Sequence, residues 1–303
     1  MPTLEALLGS PHHIAGVVTQ PDRPSGRGQH PHPPPIKQVA QTHTVPVLQP
    51  DRLRDERFVA ALRAFHPDLG VVAAYGKILT DSVLQIPRLG LINVHASLLP
   101  RYRGAAPIHR AVMAGETETG VTIMRVVKAL DAGPMLSSVT RAIGLEETSV
   151  EVERDLARLG ADALVKDLDA LSAGTAIETP QDESAATYAH KLQKTDGLID
   201  WSRSAQAIHN QIRGLHPWPH ASTTLQGRRV LLLESRTQGS DPMTKNVTGS
   251  DPGTVVEAGG DDLCVQTGDG VLRIVRLQME GKRSMAPREF LAGHRVAPGD
   301  SFA

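Results

Sequence analysis

Gly90-Leu-Ile-Asn-Val-His-Ala-Ser-Leu-Leu-Pro-Arg-Tyr-Arg-Gly104 is the stretch from which the rest of this 303-residue chain can be read. Its apolar run, Leu89 to Val94, is too short for a helix and is closed by turn residues, so it reads as a buried strand. Residues two apart on a strand share a face, and Asn93 and His95 therefore project together. An amide beside a titratable imidazole, at the carboxyl end of a strand, is where open α/β sheets carry their chemistry. The same pair also describes a capped strand end with a solvated histidine, so the surroundings have to decide.

Outward from this strand, apolar periodicity switches repeatedly between two and 3.6. Upstream, Leu69 to Ala74 reads as another strand and Thr80 to Gln85 as a short helix. Further back come a helix at Pro2 to Leu8, a strand at Ile14 to Val18, a helix from about Ile36, an extended Val45 to Leu48 and a helix at Asp51 to Phe65. The Pro-, Gly-, His- and Arg-dense segment from Thr19 to Pro35 reads as an irregular loop, of the kind that is often functional. Downstream, Ala106 to Ala114 is helical, Gly120 to Val127 and Met135 to Ile143 are strands. Thr148-Ser-Val-Glu151 has capping-box spacing and starts a long helix with Val152, Leu156, Leu159, Leu164, Leu168 and Leu171 inward. Such alternation predicts an α/β, Rossmann-like, mainly parallel doubly wound sheet covered on both faces.

After Gly174 the text turns polar and aperiodic to about Gln193. Beyond it, apart from a helix at Ser204 to Arg213, come short strands: Arg229 to Leu233, Thr254 to Ala258, Leu263 to Thr267 and Val271 to Leu277. Their spacing predicts a small β-barrel. The expected organisation is a first domain over 1–174, a linker over 175–193 and a second domain over 194–303. Thr237 to Gly253 reads as an exposed loop.

Composition narrows the classes. Lys and Arg number 32 against 33 Asp and Glu, which argues against a chain that coats nucleic acid indiscriminately but leaves room for a local basic patch. The part after Lys191 is faintly basic and the part before it faintly acidic. A single cysteine, Cys264, leaves no internal disulfide and fits a reducing, cytoplasmic setting. No stretch has the length and hydropathy of a membrane span, and no signal peptide is legible at the start, so no membrane partner is expected. Asn246-Val-Thr248 is then a chance glycosylation match.

Several residues invite chemistry. Asp131, in Leu130-Asp-Ala-Gly-Pro134, follows a strand; it is either a plain turn residue or a carboxylate that orients His95 and accepts a proton. Amide, imidazole and carboxylate together suit acyl transfer to an amine, with the first two facing a developing oxyanion. Ser97 lacks the Gly-x-Ser-x-Gly elbow of a nucleophile. His30-Pro-His32 has no nearby carboxylate or thiol to complete a metal site, so no metal is expected. Arg23 and Arg27, among Gly26-Arg-Gly28, could grip phosphates or simply solvate the loop; there is no Walker or Gly-x-Gly-x-x-Gly pattern.

Taken together, Asn93-x-His95, Ser97-Leu-Leu-Pro100, Arg101-Tyr-Arg-Gly-Ala-Ala-Pro107, Gly120-Val-Thr-Ile-Met124 and Leu130-Asp-Ala-Gly133 resemble the 10-formyltetrahydrofolate-dependent formyltransferases. Gln20-Pro-Asp-Arg-Pro-Ser-Gly-Arg-Gly28, Ile199-Asp-Trp201, Pro217-Trp-Pro219, Thr267-Gly-Asp-Gly270 and Gly281-Lys-Arg-Ser-Met285 narrow this to similarity with the methionyl-tRNA formyltransferase family, over essentially the whole chain. The resemblance implies Asn93, His95 and Asp131 as a catalytic trio. It implies a folate cleft near Tyr75, Gly76, Ser97, Leu98, Leu99 and Pro100, and no metal. It further implies Arg23 and Arg27 on a tRNA-reading loop, and an OB-like C-terminal domain offering a basic surface to initiator methionyl-tRNA. The expected species is a cytoplasmic monomer. The alternatives are a sibling acting on a small amine, a formyl-folate hydrolase domain, or a truncated homologue that binds tRNA without chemistry.

One departure accompanies the resemblance. The family begins with a strand and a Gly-Thr-Pro-type loop ahead of the helix found here at Pro2. The first strand of a doubly wound sheet is central, so its loss should leave two unpaired edges and cost more than the usual net stability of roughly 5–15 kcal/mol. The expectation is that the natural start lies upstream and that Met1 occupies an internal position.

Overall fold

The computed structural model describes residues 1–25, 30–237 and 250–303. Arg27, the 246–248 triplet and most of the expected 237–253 loop lie outside the described residues. The chain divides into two compact units. The first comprises Met1–Ala105, Gly120–Arg141 and Arg154–Ala189; the second comprises Ala106–Thr119, Ala142–Glu153 and His190–Ala303.

The first unit opens with α1 (Pro2–Leu8), which starts on a proline and buries Leu4 and Leu7. β1 (Val17–Val18) follows, then β2 (Arg23–Ser25) and β3 (His30–His32). β2 and β3 pair antiparallel, so the segment expected to be irregular contains a short ribbon. Pro24 and Pro31 face each other across it, and a two-stranded ribbon tolerates prolines because one side of each strand needs no donor. α2 (Pro35–Thr42), β4 (Val47–Leu48) and α3 (Glu56–Arg63) come next. Asp55 caps α3 by accepting from Arg57 N at 2.8 Å, which places its start five residues later than the apolar periodicity suggested.

β5 (Gly70–Ala73), α4 (Asp81–Leu84), β6 (Leu91–His95) and β7 (Arg103–Gly104) lead to α5 (Pro107–Ala114), which belongs to the second unit. β8 (Glu118–Arg125) and β9 (Met135–Ala142) are joined by the Asp131 turn, and α6 (Ser149–Ser172) follows. Glu151 accepts from the Thr148 backbone N–H at 2.8 Å, the capping-box bond expected from the sequence. Of the residues expected inward, Val152, Leu156, Leu164 and Leu168 are buried, while Leu159 and Leu171 are half-buried. Gly160 lets α6 approach the sheet: a Cβ there would sit 2.8 Å from Val94 and 3.0 Å from Val121.

The sheet of this unit comes in two pieces, β1-β4 and β5-β6-β8-β9. β1 and β4 are parallel, as are β5 and β6, whereas β8 runs antiparallel to β6. Among the described residues β1 and β5 each pair with one strand only, and no strand pair joins the two pieces. β5 reflects it: Val71 and Val72 are only half-buried and Ala73 is exposed, where a central parallel strand would be covered on both faces.

Residues 175–189, expected to be a linker, pair with the first unit. Thr179 and Met135 exchange backbone bonds at 2.8 Å, and β10 (Tyr188–Ala189) runs parallel to β7. Aperiodic sequence is compatible with this because the pairing is backbone to backbone and asks for no apolar stripe.

The second unit contains α7 (Ala205–Gly214), capped by the Ser204 hydroxyl, which accepts from Ala207 N. Its sheet is wholly antiparallel, built from β11 (Ala221–Leu225), β12 (Arg228–Thr237), β13 (Val255–Gly259), β14 (Asp262–Gln266), β15 (Val271–Met279) and β16 (Ser284–Met285), followed by α8 (Pro287–Gly293). The order is β11-β12-β15-β14-β13 with β16 on β15. Thr224 of β11 and Ala303 exchange backbone bonds, while Gly253 accepts from Phe302 N and Asp300 accepts from Val255 N. The C-terminal residues thus bridge the two outer strands and close the sheet on itself, around a core including Ile208, Leu232, Leu272 and Phe290. Cys264 lies in this unit; burial pushes its thiol up to about 12, which keeps it inert.

A stability test arises in the first unit. Burial raises the Asp167 carboxyl above its ordinary range, although the Ser137 hydroxyl donates to it at 2.6 Å. A raised folded-state value contributes stability below the unfolded value and loses it as pH rises through the folded one. Asp167→Asn keeps an acceptor for Ser137 and removes the charge, so its melting temperature should exceed that of the parent at neutral pH and match it in acid. Thermal denaturation at both pH values checks this; a lower melting temperature at neutral pH would contradict it.

Candidate active site

The site is built at the carboxyl end of β6. Ile92 anchors the strand in the core at 0% exposure, and Asn93 and His95 share the other face. Met124 stands opposite Asn93, and Thr122 opposite His95. Asn93 is half-buried and its carboxamide has no hydrogen bond among the described residues, so both its donor and its acceptor remain available.

His95 is held on both sides. Its Nε2 lies 3.0 Å from the Tyr102 carbonyl; a carbonyl only accepts, so Nε2 carries a proton. Its Nδ1 faces Asp131 Oδ2 at 3.6 Å. Asp131 is fixed in turn by the Gly104 backbone N–H, which donates to Oδ2 at 2.8 Å. The structure thus brings Asp131 to His95 across 36 residues of sequence.

Both residues flanking the imidazole have left-handed backbones, Tyr102 at φ 61° and Asp131 at φ 47°. Non-glycine residues adopt this region at a cost, and such outliers concentrate where function constrains the chain.

The Ser-Leu-Leu-Pro turn is rigid. The Ser97 hydroxyl donates to Arg101 O at 2.6 Å, and Thr122 Oγ1 donates to Ser97 O while accepting from Leu99 N. Ser97 is buried, its hydroxyl is engaged in the turn, and no base among the described residues is bonded to it, which argues against a nucleophilic serine. Leu98 and Pro100 are half-buried and Leu99 is buried. Tyr75 and Gly76 follow β5; the Gln20 side chain donates to Tyr75 O at 3.0 Å. Gln20 Oε1 and the Tyr75 hydroxyl are buried without a hydrogen-bond partner among the described residues, two polar atoms open to a polar ligand. Arg23 is exposed at the start of β2.

Reading the sequence missed three features. Gln20 adjoins Tyr75 from a segment read only for its arginines. Gly104 holds Asp131 through its N–H at φ 121°, and an added Cβ would lie 2.8 Å from Ala189 O; the glycine in Arg-Tyr-Arg-Gly was the available signal. Gln181 gave none, and Arg103 stood in the same quoted stretch without a role. Gly104→Ala should displace the N–H that fixes Asp131 and lower kcat about tenfold or more. Steady-state kinetics would check this, and an unchanged kcat would refute it.

Among the described residues no group of three His, Cys, Asp or Glu side chains could hold a metal ion, and no helix is long and apolar enough to cross a membrane.

Residues 3–168 match the formyl transferase family and residues 191–295 the formyl transferase C-terminal domain. The methionyl-tRNA formyltransferase of Geobacter metallireducens is 45% identical over 298 residues, 98% of this chain and 93% of that one. That of Ectopseudomonas mendocina is 47% identical over 299 residues, 98% and 92% of the two chains. A similar solved structure is HypX from Aquifex aeolicus in complex with tetrahydrofolic acid, with a TM-score of 0.60 and 20% identity, covering 84% of this chain and 43% of that one. Extended identity across both matched regions, together with the fold just described, places the chain in the methionyl-tRNA formyltransferase family.

Proposed function

We infer that this chain transfers a formyl group from 10-formyltetrahydrofolate to the α-amino group of methionine on initiator methionyl-tRNA. The observation that carries the reading is the Asn93, His95 and Asp131 cluster, in a chain of near full-length identity to methionyl-tRNA formyltransferases.

In this reading the amine nitrogen attacks the formyl carbon. The developing oxyanion faces the uncommitted Asn93 amide, beside the His95 ring that Tyr102 O and the Asp131 carboxylate hold in place. The tetrahedral species then loses its bond to folate N10, which takes up a proton, while the amine proton leaves toward Asp131, directly or through water. No covalent enzyme intermediate and no metal are required. Tyr75, Gly76 and the 97–100 turn line the folate side, an assignment supported by the partnerless Tyr75 hydroxyl and Gln20 Oε1.

Arg23 and Arg27 meet the acceptor stem as phosphate-binding cations, and the closed C-terminal sheet, read as an OB-like barrel, supplies further tRNA contact. Binding should weaken as salt rises. The chain acts as a cytoplasmic monomer.

The test is formyl transfer from 10-formyltetrahydrofolate to methionine-charged initiator tRNA. Formylmethionyl-tRNA is the expected product. Turnover of a small amine in its place would favour a sibling formyltransferase, and tRNA binding without transfer would favour a non-catalytic homologue.

A further inference from the structure

The segment 179–189 is fastened to the site by more than its backbone. Arg103 is 2% exposed, although it is a long cation next to a surface loop. Its guanidinium donates from Nε and a terminal nitrogen to Gln181 Oε1, at 3.1 and 2.8 Å. It also donates from both terminal nitrogens to the two Glu183 oxygens, at 2.9 and 2.8 Å. With its Oε1 committed to Arg103, Gln181 can point only its amide nitrogen the other way. That nitrogen donates to Asp131 O at 2.8 Å and to Gly133 O at 2.7 Å. Both hydrogens of the amide are therefore used, and they grip the two carbonyls that bracket the turn carrying Asp131.

The same segment secures the opposite side of His95. The Tyr102 backbone N–H donates to Thr187 Oγ1 at 2.9 Å, Arg103 N donates to Thr187 O, and Ala105 N donates to Ala189 O. Tyr102 O, which holds Nε2, and Asp131, which faces Nδ1, are thus both set by 181–189.

We propose that Gln181, oriented by Arg103, is a positioning residue that fixes the Asp131 carboxylate against His95 Nδ1, and that residues 181–189 form a strap setting the geometry of the catalytic imidazole from both sides. Asp131 has a left-handed backbone, and such a residue relaxes unless neighbours over-determine it. Gln181 makes the two bonds to backbone carbonyls in that turn. Its amide orientation is dictated by a buried cation and therefore cannot flip. The catalytic consequence rests on the proposed formyl transfer; the geometric one does not.

Gln181→Met preserves side-chain length and volume while deleting all four hydrogen bonds. In formyl transfer, kcat should fall about 10- to 100-fold, since a displacement of about 1 Å in a reacting constellation has effects of that order. KM for the folate should stay within about twofold, because Gln181 touches backbone rather than ligand. Independently of activity, the ¹⁵N resonances of the His95 ring would be compared in parent and variant at one fixed pH. The Nδ1 signal should move, while Nε2, held by Tyr102, and the ring of His209 in the other unit should not. An unmoved Nδ1 signal would overturn the proposal whatever the rate does, as would movement of all histidine signals together. Should Gln181→Met fail to fold, Gln181→Asn retains the chemistry but is one methylene short of bridging Arg103 to both carbonyls, and is judged by the same signal. If the parent protein itself shows no transfer, the functional reading fails while the resonance comparison still decides the strap.

Discussion

Asp131→Asn is expected to lower kcat by about 10²-fold or more while leaving folate affinity largely intact. The substitution is nearly isosteric, so the turn, its Gln181 clamp and the Gly104 N–H bond can all persist, with the amide oxygen taking the place of Oδ2. Charge and proton affinity are lost. A carboxamide carries no negative charge to set against the ring 3.6 Å away and does not accept the proton that the attacking amine must release. Both deficits appear only as the reaction proceeds, and an interaction made only in the transition state registers in kcat rather than in ground-state binding. Single-turnover formylation, with folate binding measured separately, would separate the two. A rate near that of the parent would remove Asp131 from the mechanism and leave Asn93 and His95 as the whole of the site.

How far this site could be read from sequence follows from how local its construction is. Asn93 and His95 share a face because strand geometry has a period of two, and Ser97 to Pro100 form a turn because of their own chemistry; both are visible within fifteen residues. Asp131 was visible as a turn residue, and its role only through resemblance, because its partners Gly104 and His95 come from another element. Gln181 was not legible at all. It lies in a polar stretch without apolar rhythm, and its partners Arg103, Asp131 and Gly133 are 48 to 78 residues away. A segment held by side-chain and backbone hydrogen bonds presents the same text as one held by nothing.

The fold divides in the same way. α5, α6 and α7 were predicted almost residue for residue from periodicity and caps, and β6, β8 and β15 to within two residues at each end from apolar runs. β11 was missed because Ala-Ser-Thr-Thr-Leu alternates weakly, though four of its five residues are buried. Its polar residues are satisfied inside the sheet: Thr223 accepts from the Trp201 indole and donates to the last carbonyl of the chain. Sheet closure by residues 299–303 was likewise invisible, since it depends on a register between segments nearly eighty residues apart.

Arg103→Met is expected to produce the largest loss of stability, on the order of 2–3 kcal/mol. Methionine replaces the aliphatic stem of a side chain that is 2% exposed, so packing is largely kept. What remains behind is uneven. Glu183 has 68% of its side chain exposed and regains water when its partner goes. Gln181 does not, because its amide nitrogen stays bound to Asp131 O and Gly133 O while its oxygen loses both donors in a half-buried place. A drop of this size corresponds to about 4–12 °C in melting temperature for a unit of this length. If stranding Gln181 Oε1 is the main cause, adding Gln181→Met to Arg103→Met should restore part of the loss, since two apolar neighbours leave no orphan. The double variant should then be more stable than the sum of the two single losses predicts, by about 1 kcal/mol. Denaturant unfolding of the parent, both single variants and the double would measure that coupling. Strictly additive losses would show that Arg103 and Gln181 act separately, and would separate the buried cation from the clamp on Asp131.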